Sequence, residues 1–442
     1  MLSRRYDQRI VRKLIALLLL IIGAVGGVVY LFSTSPKPTI QVVDAPAAIG
    51  QSTRINVHIA SKHGLEKASA YLFQHGQKYP VWTANPGTQP DLTDNFVAGV
   101  KTVPQLKDGT AQLVVEATAK GFLHRSTEWK RELNVFTNPP TISADPETHY
   151  LYRGMAEVTR FQVSGKFTDA GVRVGNQTFR AWPMPNGQPG MFSLFAFAWN
   201  TPADAMPLLY AANGAGNEVT TPLVVQFPKK EQPRYTIHPL QLDDRFMQKV
   251  VGELDPNGSG DLVTRFIRIN SEMRKENNQT LSDLRLKTVD RFLWSQPFLR
   301  QAGSTEASFA DQRKYMYQGK QIDEQVHTGY DLAGTQRMGV LASNDGRVVF
   351  AAPLGIYGNC IVVDHGYGLQ TIYGHLSEIH VKEGDTVKRG QTMGLSGMTG
   401  MAGGDHIHFT MQLDGVQIDP KAFWDPHWIQ DHIKRRIPGF GM

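Results

Sequence analysis

A chain of 442 residues is too long for one hydrophobic core and fits about three domains of ordinary size. At 41% apolar, 10% aromatic and 19% charged it can bury real cores, which excludes wholesale disorder, and its 42 Gly and 25 Pro favour a mainly β chain. The single cysteine, Cys360, excludes a disulfide framework and any Cys-based zinc knuckle, so a metal site here must rest on His, Asp and Glu. Of the formal charge of +6, Arg4, Arg5, Arg9, Arg12 and Lys13 against Asp7 supply +4. No basic block long enough to track a phosphate backbone remains, so no nucleic-acid partner is expected.

Residues 1–13 thus form a basic segment, and 14–32 read as a transmembrane anchor. Leu14 to Phe32 carries no charge and spans roughly 28 Å as a helix, close to the hydrocarbon thickness of a bilayer. A cleavable signal peptide would need a shorter apolar core and a small-x-small site, whereas STSPKPT follows here. The preceding cations keep the N-terminus in the cytoplasm and place the body outside the inner membrane, in the periplasm or an equivalent extracytoplasmic space.

Period-two runs begin after the linker. Ile55, Val57 and Ile59 alternate with polar neighbours, as do Leu113, Val115 and Ala117, which predicts an Ig-like β-sandwich over 36–138. A second β-sandwich of the same style is expected over 139–230, from Thr159, Phe161 and Val163 to Leu223, Val225 and Phe227. Over 231–300 the period changes: Leu262, Phe266, Ile269 and Met273 share one helix face behind an N-cap at Asp261, a helical connector packed against the C-terminal region. The region 301–425 carries the chemistry. Residues 426–442 form a tail with an amphipathic closing helix whose Lys434, Arg435 and Arg436 solvate one face.

Three short motifs matter. His327-Thr328-Gly329-Tyr330-Asp331 spaces an imidazole and a carboxylate by an even step, which on extended chain brings both to one face. Tyr373-Gly374-His375-Leu376 supplies a third group. In Asp405-His406-Ile407-His408-Phe409-Thr410-Met411-Gln412-Leu413, His406, His408, Thr410 and Gln412 alternate with apolar residues, so one face enters a core and the other presents two imidazoles. Each motif alone is weak; together they offer the nitrogen and oxygen donors that catalytic zinc requires, with imidazoles left over for proton handling. His365 reads as structural, His380, His427 and His432 as surface groups, and Cys360 as a buried small hydrophobe.

In order, HTGYD, YGHLS and HIHF resemble the H-x-G-x-D, Y-x-H-L and H-x-H-F motifs of the lysostaphin-type (LytM-like) zinc metallopeptidases of bacterial peptidoglycan. The resemblance covers about residues 305–425 and extends to the D-H-G turn at Asp364-His365-Gly366 and the glycine-rich Gly397-Met398-Thr399-Gly400. It implies a C-terminal antiparallel β metallopeptidase domain. One Zn2+ per chain would be held by His327, Asp331 and His408, with His375 and His406 as catalytic imidazoles. Thr410 and Asp405 depart from the family's usual Glu and Pro. The expected function is a membrane-anchored zinc metalloendopeptidase cutting peptidoglycan stem peptides or cross-links, with the wall as substrate and protein regulators as further partners. The alternatives are a catalytically silent wall-binding scaffold or regulator of another hydrolase, and an exported protease acting on protein substrates.

Overall fold

The computed structural model describes residues 8–202, 204–228 and 235–441. Arg4 and Arg5 of the basic segment therefore lie outside the described residues. The chain is mainly β and divides into two compact units.

The first unit comprises Met1–Pro140 with the short segments Gly165–Thr168 and Ala212–Glu218. It opens on a helix, Gln8–Thr34, whose stretch Arg12–Ser33 is long and apolar enough to cross a membrane and buries none of its surface in the protein. Two antiparallel β layers follow. One orders Thr39–Val43, Thr53–Ala60 and Asp91–Ala98; the other is built around Gly109–Ala119 between Leu65–Gln74 and Ser126–Val135. The alternation read in the sequence is the inward face: Ile55, Val57 and Ile59 share one core with Leu72, Leu113 and Val115. Each such side chain contributes about 1.5–3 kcal/mol when fully buried.

In the second unit the region 141–228 supplies two four-stranded sheets, and a sheet of eight strands follows. The eight-stranded sheet orders Ser304–Ala307, Tyr330–Ala333, Ile407–Leu413, Leu369–Leu376, Asn359–Asp364, Gly346–Pro353 and Thr386–Val387, with Val416–Ile418 added beside Ile407–Leu413. Its inner face joins Phe409, Met411 and Tyr373 to Phe161, Phe192 and Leu194 of the earlier strands and to Ile429, Ile433 and Ile437 of the tail, in one continuous core. Its opposite face packs Cys360, Val362 and Ile372 against Phe266, Ile269 and Leu281 of the helical connector.

The connector's first helix is Asp244–Leu254, and its next helix starts where the sequence places its cap. Asp261 accepts the Thr264 backbone N–H at 2.8 Å, a cap worth about 1 kcal/mol, and the helix Leu262–Arg268 follows. Because the connector covers the sheet, Ile407–Leu413 is buried on both faces rather than one. Its polar residues find partners there: Gln412 donates to the Leu281 carbonyl at 2.7 Å, and Gln370 on the neighbouring strand donates to that of Leu284 at 2.9 Å. Both carbonyls lie where the helix Arg274–Asp283 ends and the next turn begins.

The tail departs from its expected solvation at one of its three cations, Lys434 and Arg435 being exposed. Arg436 is buried, its Nη1 donating to Glu157 at 3.0 Å, to the Val158 carbonyl and to His149, while His432 meets Glu157 at 3.0 Å. A cation this deep persists because a carboxylate of equal burial faces it. His432 is correspondingly no surface group, whereas His427 and His380 are exposed as expected.

Candidate metal centre

Three strands bring the donors together. Pairing of Tyr330–Ala333 with Ile407–Leu413 sets Asp331 directly opposite His408, and His408 lies opposite Gly374 on its other side. His327 arrives from a different sheet as the last residue of Lys320–His327, so His327 and Asp331 do not share one extended strand. The chain breaks at Thr328-Gly329 and folds the imidazole back onto the carboxylate. Thr410 fastens this break by donating its hydroxyl to the Thr328 carbonyl.

The result is a small triangle of donor atoms. His327 Nε2 lies 2.9 Å from Asp331 Oδ1 and 3.0 Å from His408 Nδ1, and His408 Nδ1 lies 3.0 Å from the same oxygen. All three residues are buried, and among the described residues they form a group able to hold a metal ion. Ligands bonded at about 2.0–2.1 Å in tetrahedral geometry stand roughly 3.3 Å apart, so this triangle is slightly tight and of the right size. The donor chemistry agrees. His327 Nδ1 donates to the Ser308 carbonyl at 3.0 Å, which keeps the ring proton on Nδ1 and leaves Nε2 as a bare lone pair aimed at the centre.

Electrostatics favour a cation at the centre. Burial pushes the Asp331 carboxyl up, but His327, His406 and His408 outweigh it and hold the group well below the usual carboxylate range. Burial depresses His408 to about 4, so its ring is neutral near pH 7. Asp331 Oδ2, the oxygen facing away from His327, accepts from Arg313 Nη2 at 2.7 Å.

Two further imidazoles border the triangle. His375 donates from Nδ1 to the Thr399 carbonyl at 2.9 Å, and its ring lies 4.8 Å from that of His406 and 5.9 Å from that of His408. Its φ of 66° is left-handed, a conformation costly to a residue with a Cβ and one that concentrates at functional positions. Burial, followed by His406 and His408, drives its pKa well down. His406 donates from Nδ1 to the Gly404 carbonyl at 2.9 Å and presents Nε2 3.5 Å from Asp331 Oδ1. Burial opposes its protonation, yet Asp331 raises its pKa above the ordinary value. The five groups open onto a cleft of about 580 Å³ walled by His238, Leu242, Phe246, Arg274, Tyr315 and Met401.

Sequence reasoning missed the residues that hold these groups. Arg313 and Ser308 belong to no motif pattern, and Thr399 and Thr410 stand in quoted motifs without a holding role being read from them. Gly329 carries a signal in HTGYD, and its reason is steric: a Cβ there would meet His408 Cε1 at 2.6 Å and the Phe409 carbonyl at 2.8 Å. Gly329→Ala is therefore expected to push the His408 ring off the centre and weaken metal uptake by a still folded chain, read as metal content beside an unchanged circular-dichroism spectrum. Asp405 accepts from Ser396 and from the Arg337 backbone N–H at 3.0 Å, so it fixes a loop at the cleft rim. His365 is structural, buried between the Asp345 carbonyl at 2.7 Å and the Thr371 hydroxyl at 2.8 Å. Cys360 is buried, and burial pushes its thiol far up, which removes it as a nucleophile.

Two sheets meeting at a His/Asp/His triangle with two neighbouring imidazoles make a candidate metal centre. Residues 325–420 match Peptidase family M23, so the chain carries an M23 domain of the lysostaphin type at its C-terminal end. It is 38% identical over 95 residues to the DD-carboxypeptidase/endopeptidase Mpg of Neisseria meningitidis serogroup B, covering 22% of each chain. Over 93 residues it is 43% identical to the peptidoglycan DD-endopeptidase ShyA of Vibrio cholerae, covering 21% of this chain and 22% of that one. It is also 33% identical over 96 residues to the murein hydrolase activator NlpD of Escherichia coli, covering 22% of this chain and 25% of that one. The aligned part thus spans about a fifth to a quarter of each relative's length.

Proposed function

We propose that this chain is a membrane-anchored zinc metalloendopeptidase that hydrolyses peptide bonds in the stem peptides or cross-links of peptidoglycan. The helix Gln8–Thr34 would cross the inner membrane once, N-terminus inside, leaving the catalytic domain in the periplasm or extracytoplasmic space. The observation that carries the reading is the convergence of His327 Nε2, Asp331 Oδ1 and His408 Nδ1 beside His375 and His406 at an open cleft. Similarity to ShyA and Mpg supports the wall as substrate.

His327, Asp331 and His408 would hold one Zn2+, which supplies Lewis acidity and makes water acidic enough to yield a nucleophile near neutral pH. The chain's own groups do the rest. His375, its Nδ1 proton committed to Thr399, offers Nε2 as an acceptor, and burial keeps that lone pair free of a proton, the form in which a general base must start. His406 gains a proton more readily through Asp331 and so can donate from Nε2 to negative charge developing on the substrate carbonyl oxygen. Arg313 fixes Asp331 through Oδ2 and leaves Oδ1 turned to the centre. Arg313→Ala is expected to weaken zinc binding by about 10–100-fold, with partial recovery in Arg313→Lys, measured by competition with a chromophoric chelator.

Similarity to NlpD favours a second reading, in which the domain activates another hydrolase without cutting bonds itself. The presence of all five site groups in one cluster argues against it. The discriminating experiment incubates the purified full chain with insoluble wall and analyses released fragments by mass spectrometry. New amino termini that disappear on chelation are expected. Intact wall would favour the silent reading, and cleavage of casein-like proteins with wall left untouched would favour a protease of protein substrates.

A further inference from the structure

One end of the first unit carries none of the five site groups. Strand register sets Thr39 opposite Ala60, Leu65 opposite Ala119 and Thr118 opposite Ser126, so segments 35–39, 60–67 and 119–126 gather at the same end of the β layers. The apolar helix reaches that end. Arg125 Nη1 donates to the Ser35 carbonyl at 2.9 Å and to that of Phe32 at 3.3 Å, and the guanidinium stands 5.4 Å from the centre of the Phe32 ring. Thr127 donates to the Pro38 carbonyl at 2.7 Å. If Leu14 to Phe32 fill the hydrocarbon layer, the chain around Arg125 stands at headgroup depth.

The loop beside Arg125 carries Phe122, which is 80% exposed, more than any other large apolar side chain among the described residues. The ring adds nothing to the sandwich core. Lys37, Lys62, Lys67 and Lys120 are exposed in the segments at this end, against two carboxylates: Glu66, engaged by His124 at 2.6 Å, and the exposed Asp91 opposite Ala60. An exposed aromatic within a cationic rim is the chemistry of an anionic bilayer surface, where rings settle among headgroups and Lys and Arg face lipid phosphates.

We propose that this end of the first unit docks on the outer leaflet of the membrane that holds the helix, with Phe122 entering the interfacial layer and the lysines facing anionic headgroups. The proposal rests on the reading of Gln8–Thr34 as an anchor. Docking would fix the direction in which the β layers leave the membrane, since their strands run away from this end towards the hairpin between Gln74 and Gln77.

The test uses the full chain in nanodiscs of mixed phosphatidylglycerol and phosphatidylcholine. Cys360 is buried, so single cysteines elsewhere can be labelled with an environment-sensitive dye and exposed to lipids carrying a shallow nitroxide quencher. Label at Phe122→Cys is expected to lose fluorescence, whereas label at Gln77→Cys, at the far end of the same layer, keeps it. Val25→Cys, within the helix, reports the anchor through a deep quencher. Quenching at 25 with none at 122 would overturn the docking and leave the anchor standing; no quenching at 25 would overturn both. Charge is read separately: Lys120→Glu, or phosphatidylcholine alone, should reduce quenching at 122, and undiminished quenching in both would contradict the role of the cationic rim.

Discussion

His408→Ala is expected to abolish zinc retention and wall cleavage together while the chain stays folded. The substitution removes one corner of a donor triangle whose sides are 2.9–3.0 Å and leaves His327 and Asp331 facing each other across the gap. Two donors do not make the three-ligand set of a catalytic zinc site, so metal content should fall from about one per chain to near zero. Asp331→Asn should act in the same direction, since it removes the anionic donor and leaves Arg313 facing an amide instead of the carboxylate it now meets at 2.7 Å. Metal analysis after desalting, run beside a melting curve, separates this outcome from unfolding. Wall digestion unchanged by His408→Ala would reject the ligand assignment.

His375→Ala and His406→Ala should separate what His408→Ala joins. Neither ring contributes a corner of the triangle, so both variants should keep zinc. Each should lose about 10²–10⁴-fold in kcat, the usual worth of a placed acid or base, which corresponds to roughly 3–5 kcal/mol of barrier. The pair should differ in pH response. Burial holds the pKa of His375 well down, whereas Asp331 raises that of His406, which loses its proton as pH climbs. The alkaline fall in rate of the parent chain should therefore persist in His375→Ala and flatten in His406→Ala. Loss of zinc from either variant would show that its imidazole belongs to the metal set.

The site was legible in the sequence to the extent that chemistry and face alternation coincide. The polar residues of HIHFTMQL share one face, and the strand does present His408 toward Asp331. The spacing in HTGYD announced a His/Asp pair but not its construction, because the break at Thr328-Gly329 depends on Thr410, remote in sequence, and on His327 ending a strand of a different sheet. The orientation of His375 likewise follows from a left-handed backbone angle that no pattern of residue types encodes. Among larger features, the capped connector at Asp261 and the inward runs around Ile55 and Leu113 stood out because local hydrogen bonding and period-two burial determine them. The burial of Arg436 did not, since a basic triplet at a chain end looks the same solvated or paired; Glu157, far away in sequence, decides it. The merging of Phe161 and Phe192 with Phe409 and Met411 into one core is also a matter of which faces meet, and hydrophobic periodicity is silent on that.

Diffraction from zinc-loaded crystals, recorded on both sides of the zinc absorption edge, tests the metal centre most directly. A single anomalous peak within bonding distance of His327 Nε2, Asp331 Oδ1 and His408 Nδ1 is the predicted result. A peak coordinated by other side chains, or these three groups filled by Arg313 and hydrogen bonds with no peak at all, would contradict it.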